Sequence, residues 1–267
     1  MSARESQKRV RQMSTDLVSI IALSTLAGLG TGLGGLVVLI RKPGEKLLVF
    51  LMGLAAGIMI MLSFLELLFE SLKISGLFLA ASGFVAGSLV LFLLDFLLPH
   101  EHFSVSEKGV IDTKILKDAR ILKRQGLLIA IGISLHNLPE GIAVASGYSY
   151  VPKIGLIIAI AIALHNIPEG VAIALPIHMS GASRWASFRL ALVSGLMEPF
   201  GAVIAAVFLN AFPALSPFGL AFAAGVMVFI TLDELIPVAH EHGHEHFTSL
   251  GVIIGCILTF GLLGAIS

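Results

Sequence analysis

QGLLIAIGISLHNLPEGIAVASGYS (residues 125–149) and KIGLIIAIAIALHNIPEGVAIALPIH (153–178) decide how this chain is read. Each is long and apolar enough to cross a hydrocarbon core ~30 Å thick as one helix. Each also carries the same polar insertion at mid-span: His136-Asn137-Leu138-Pro139-Glu140-Gly141, then His165-Asn166-Ile167-Pro168-Glu169-Gly170. A carboxylate near the bilayer centre costs about 2.5–3.5 kcal/mol, so two such sets in adjacent spans call for a compensating partner. A metal cation meets that need.

Outward from this pair the whole chain has membrane character. Of 267 residues 57% are hydrophobic and 13% charged, against about 25% charged in soluble domains, and the mean hydropathy is +0.98. Apolar runs at 17–40, 47–70, 75–98, 125–149, 153–178, 186–210, 215–238 and 248–267 predict an all-α polytopic membrane protein of eight transmembrane helices, one transmembrane domain over 1–267. Continuous runs such as 127–133 leave no polar lumen face, which excludes a β-barrel. Cys256 has no second cysteine to pair with, so disulfides and thiolate clusters are excluded. Zero formal net charge gives no reason to expect nucleic acid as a partner.

The loops divide into two sets. Eleven basic residues (Arg41, Lys42, Lys46, six between Lys108 and Arg124, Arg184 and Arg189) lie on one side, and six on the other, four of them in a basic tail over 1–14. The majority puts both termini outside and a loop at 99–124 in the cytoplasm. Glycines at 28, 30, 32, 34 and 35, with the pairs Gly53/Gly57 and Gly83/Gly87, read as faces for close helix packing and carry no assigned chemistry.

Residues four apart share a helix face, so His136 with Glu140 and His165 with Glu169 each form a chelating pair. Pro139 and Pro168 cannot donate to the carbonyls of Leu135 and Leu164, and a backbone so broken predicts a cavity. Glu198-Pro199 adds a third carboxylate beside a third interruption. One metal would take His136, Glu140, His165 and Glu169; a second would take Asn137, Asn166 and Glu198, with the glutamates bridging. Imidazole, carboxylate and amide donors suit Zn, Fe(II), Mn or Co, and do not by themselves exclude Cd. Ligands must shed protons to bind, so metal arrival is expected to expel protons.

These motifs, the Met197-Glu198-Pro199 context and the eight spans resemble the ZIP (Zrt-, Irt-like) family of divalent metal transporters over nearly the whole chain. Thr231–Pro237 and Gly53–Glu66 are most similar to a bacterial branch of it. The resemblance implies uptake of zinc and similar metals through the bacterial inner membrane, extracytoplasmic termini, a binuclear centre between the fourth and fifth helices, and a homodimer in the lipid bilayer. The metal is then cargo, with no cofactor. Some relatives carry Asp where Asn166 stands, which weakens the second metal position here. Their His-rich cytoplasmic loop is reduced to His100-Glu101-His102, while HEHGHEH at 240–246 follows the seventh span.

Glu66 and Glu70 would then form an entrance, and Asp233, Glu234 and His240 an exit. Two rival readings use the same residues. An intramembrane metalloenzyme would need a spare general base off the metal, as in HExxH sites, and a metal sensor would bind without flux.

Overall fold

In the computed structural model the described residues are 3–40, 42–97, 119–241 and 244–266. Among them there are helices and no strands. The elements are α1 (Ala3–Ile40), α2 (Glu45–Leu62), a π-helical turn (Ser63–Leu68), α3 (Phe69–Leu97), α4 (Ala119–Tyr150), α5 (Pro152–Met179), α6 (Arg184–Gly195), α7 (Met197–Ala211), a 3-10 turn (Pro213–Leu215), α8 (Ser216–Ile230), a second π-helical turn (Thr231–Leu235), α9 (Ile236–Glu241) and α10 (Glu245–Ile266). The all-α, polytopic expectation holds. Seven helical stretches among the described residues are long and apolar enough to cross a membrane.

The second stretch, Glu45–Leu94, has 50 residues and would reach ~75 Å if straight, more than twice the hydrocarbon thickness. It is not straight. Gly76 takes φ 77° and ψ 174°, a left-handed region that L side chains avoid, and the chain turns back there. The direction follows from neighbours. Met59 meets Thr231 and Ser71 donates to the Pro217 carbonyl, so this limb runs antiparallel to α8. Beyond Gly76, Gly83 faces Phe218 and Gly87 faces Phe222, so the second limb runs parallel to α8. The expected break between 70 and 75 is thus a single-residue reversal, preceded by a π turn where an ordinary helix was expected.

The prolines in the spans act in two ways. Pro139 and Pro168 lie inside α4 and α5, which run unbroken through them; each proline removes one ladder bond without ending the helix. The interruption is at Leu196, where ψ is −7°, beside Glu198-Pro199, and α7 starts at Met197, one residue before Glu198.

The helices form two bundles. α1, α4, α5, α6 and α7 pack together, and α2, α3, α8 and α10 pack together; the two meet where α4 lies on α8 and α2 on α5. Inside each bundle glycines let backbones touch. A Cβ at Gly34 would strike the Ile167 carbonyl, one at Gly141 the Glu198 carbonyl, and one at Gly53 the Thr248 carbonyl. Between bundles the surface is side-chain packing, with Met59, Leu62, Ile158, Ile162, Leu220 and Met227 in one buried cluster. Outward-facing residues such as Phe78, Phe96 and Leu77 are exposed by 87%, 79% and 74%, as a lipid-facing surface requires.

Candidate metal centre

All seven residues singled out for the centre are buried: His136, Asn137, Glu140, His165, Asn166, Glu169 and Glu198, none more than 2% exposed. They come from the middle of α4, the middle of α5 and the first turn of α7. Val151 makes an extended turn between α4 and α5, so the two hexapeptides meet from opposite directions, as the sequence requires. His165 Nε2 lies 2.9 Å from Glu140 Oε1 and His136 Nε2 lies 3.3 Å from Glu169 Oε2. Each histidine therefore faces the glutamate of the other helix rather than the one four residues along its own.

His136, Glu140 and Glu169 each offer one donor atom, and the three lie within 4.8 Å of one another. His165 joins them through Glu140. Asn166 Nδ2 donates to Glu198 Oε2 at 2.9 Å and to the Ala27 carbonyl at 3.1 Å; Asn137 Nδ2 donates to the Ser194 carbonyl at 2.9 Å. Asn166 thus lies against Glu198, while Asn137 turns its amide nitrogen onto the α6 backbone. Neither Ala27 nor Ser194 was singled out from sequence. The signal was present in the glycines beside them, Gly28 and Gly195, whose missing side chains bring α1 and α6 against each other at this level.

The amides spend their N–H groups on carbonyls or on Glu198, which leaves their oxygens directed elsewhere. Nine buried side-chain atoms of the seven residues have no hydrogen-bond partner in the protein: both His136 nitrogens, Asn137 Oδ1, Glu140 Oε2, His165 Nδ1, Asn166 Oδ1, both Glu169 oxygens and Glu198 Oε1. Each such atom costs about 1–3 kcal/mol. All nine are oxygens or ring nitrogens of groups that coordinate borderline divalent metals. The arrangement suits a cation far better than an apolar substrate.

The suggested entrance and exit lie elsewhere. Glu66 is half-buried in the first π turn. Glu70 sits one turn on, ion-paired with Lys73, which itself rests 4.3 Å over the Phe69 ring. Asp233 and Glu234 occupy the second π turn, half-buried, and Glu234 is within electrostatic reach of His136. The His240 side chain, His100 to His102 and most of the 99–124 loop lie outside the described residues, as do His242 and Gly243. His244 Nε2 approaches Glu45 Oε2 to 3.9 Å at the start of α2.

The described residues form an all-helical fold with helices long enough to cross a membrane, around buried, paired His and Glu side chains. A family model described as "ZIP Zinc transporter" matches residues 98–263, and this chain belongs to that family. It is 42% identical over 252 residues to a protein named "Zinc transporter ZupT" from Chlorobium limicola, covering 88% of this chain and 93% of that protein. Proteins of the same name from Akkermansia muciniphila (38% over 263 residues, 92% and 97% covered) and Oceanobacillus iheyensis (40% over 251 residues, 88% and 93% covered) are similar throughout their length.

Proposed function

We propose that this protein carries divalent transition-metal cations, zinc foremost and iron, manganese, cobalt and cadmium as further candidates, into the cytoplasm across the bacterial inner membrane. The observation that carries this reading is the joint burial of His136, Glu140 and Glu169 with donor atoms within 4.8 Å, inside a protein whose relatives are named zinc transporters. His136, Glu140, His165 and Glu169 bind the first ion. Asn137, Asn166 and Glu198 serve a second, so that the centre is binuclear. Counting the two limbs around Gly76 separately gives eight crossings, and the charge bias then puts both termini outside. The chain works as a single domain, as a homodimer, with 99–124 in the cytoplasm.

Glu66 and Glu70 lie toward the outer end of their limb and supply the entrance; Asp233, Glu234 and His240 supply the exit. The metal passes by alternating access, with one bundle moving against the other. Backbone-to-backbone glycine contacts hold each bundle rigid, while an apolar side-chain seam between them allows displacement. The metalloenzyme alternative lacks support, because the chain belongs to a family of zinc transporters.

Zinc flux into proteoliposomes tests the reading. Wild type should show saturable flux, and Glu140→Ala and His165→Ala should each lower it at least tenfold. Equal flux in all three would remove the centre from the pathway, and stoichiometric zinc binding without flux would favour a sensor.

A further inference from the structure

The chain is built as two inverted halves, and the correspondence runs to single contacts. Residues 55–68 (AAGIMIMLSFLELL) and 223–236 (AAGVMVFITLDELI) are identical at six of fourteen positions, and five more exchange one aliphatic or hydroxyl residue for another. Both π turns begin at the same place in the repeat, Ser63 and Thr231. With the same offset of 168, Gly57 faces the Val252 carbonyl as Gly225 faces the Phe84 carbonyl. Cys256 Sγ donates to Gly57 as Ser88 Oγ donates to Gly225.

The relation continues through the metal centre. α4 maps onto α5 with an offset of 29, and α1 maps onto α6 and α7 with an offset of 167. Under it Gly28 and Gly195 face one another, Gly34 on the Ile167 carbonyl answers Gly201 on the Leu138 carbonyl, and Gly170 on the Thr31 carbonyl answers Gly141 on the Glu198 carbonyl. Asn166 on the Ala27 carbonyl answers Asn137 on the Ser194 carbonyl. The position equivalent to Glu198 is therefore Thr31. Just as Gly28 lies against the Glu198 carboxylate, Gly195 lies against the Thr31 side chain. Thr31 is 0% exposed, and its hydroxyl has no hydrogen-bond partner. A helical threonine normally donates to the carbonyl four residues back; here that carbonyl, Ala27, receives Asn166 instead.

We propose that Thr31 is an additional oxygen donor of the metal centre, reaching the second divalent cation from the Asn137 side as Glu198 reaches it from the Asn166 side. The assignment rests on the transport-site reading above and extends it to α1. A neutral hydroxyl replaces a carboxylate at the equivalent place, so the two halves of the centre differ by one negative charge. Around the second ion the Glu198 side holds more tightly and the Thr31 side is the weaker.

Calorimetric titration of the detergent-purified full-length chain with zinc tests this. Wild type should show a tight and a weaker step. T31V, which keeps the shape and removes the hydroxyl, should weaken the second step at least fivefold; T31S should stay within twofold of wild type, and T31D should strengthen that step at least tenfold. Identical titrations for T31V and wild type, or no gain in T31D over T31S, would overturn the assignment. Should T31V fail to fold, the comparison of T31D with T31S decides alone. Absence of zinc binding in wild type would overturn the transport site itself and this assignment with it, whereas normal wild-type binding with indifferent Thr31 variants defeats only the latter.

Discussion

Gly170→Ala separates packing from propensity at the centre. Alanine is the better helix former by roughly 0.8–1.0 kcal/mol, so in open space the change stabilises. At Gly170 the added methyl meets the Thr31 carbonyl and the Gly34 Cα, both backbone atoms of α1, which no rotamer change can move. Overpacking of that kind costs about 1–3 kcal/mol, and contact with rigid backbone places this site at the upper end. The net expectation is a loss near 2 kcal/mol, which is a fall in Tm of roughly 4–8 °C for a chain of this length. Gly261 in α10, with nothing within 4 Å of its added methyl, is the control, and Gly261→Ala should raise Tm slightly. Because Glu169 and Asn166 ride on the displaced α5, zinc flux should fall in the first variant and not in the second. Fluorescence-detected thermal unfolding in detergent, beside flux in proteoliposomes, reads both. If Gly170→Ala raises Tm as Gly261→Ala does, α1 and α5 do not touch through their backbones and the account of the first bundle is wrong.

Gly76→Ala forces a side chain into φ 77° and should cost about 1–2 kcal/mol although nothing crowds the position; an unchanged Tm would refute the single-residue reversal. Asn166→Asp adds a charge beside Glu198 and should strengthen the second zinc step in a titration, while a weakened step would show that the donated bond to Glu198 matters more than charge. Glu66→Gln should raise the half-saturating zinc concentration several-fold in right-side-out membrane vesicles and less in inside-out ones, with Glu234→Gln the reverse; equal shifts from both faces would remove the entrance and exit assignment.

Much of this was readable from residue types alone. The hexapeptides announced their own burial because imidazole and carboxylate in mid-span need each other or a cation, and the structure brings the four side chains together. Their pairing was not readable. Spacing along a helix suggests His136 with Glu140, yet the antiparallel crossing of α4 and α5 exchanges partners, a consequence of interhelical distance that no single-helix argument contains. The π turns at Ser63 and Thr231 were also invisible to a 3.6-residue period. Their shared sequence, AAG-x-M followed four residues later by Ser or Thr and then Glu, was in view throughout as an internal repeat, but the 168-residue offset lies far outside the spacing of tandem motifs. The prolines differ in outcome: at Pro139 and Pro168 one lost ladder bond in a well-packed helix leaves the helix intact, whereas at Pro199, which cannot donate to the Gly195 carbonyl, the helix is interrupted at Leu196.

The two bundles are tethered by short leashes. Between α7 and α8 the chain passes from one bundle to the other through only Phe212 to Leu215, and four residues fully extended reach ~14 Å. Under the proposed alternating access the two ends of that leash stay within roughly two and a half helical turns of each other, so the sliding of one bundle on the other is bounded by a link shorter than the hydrocarbon is thick.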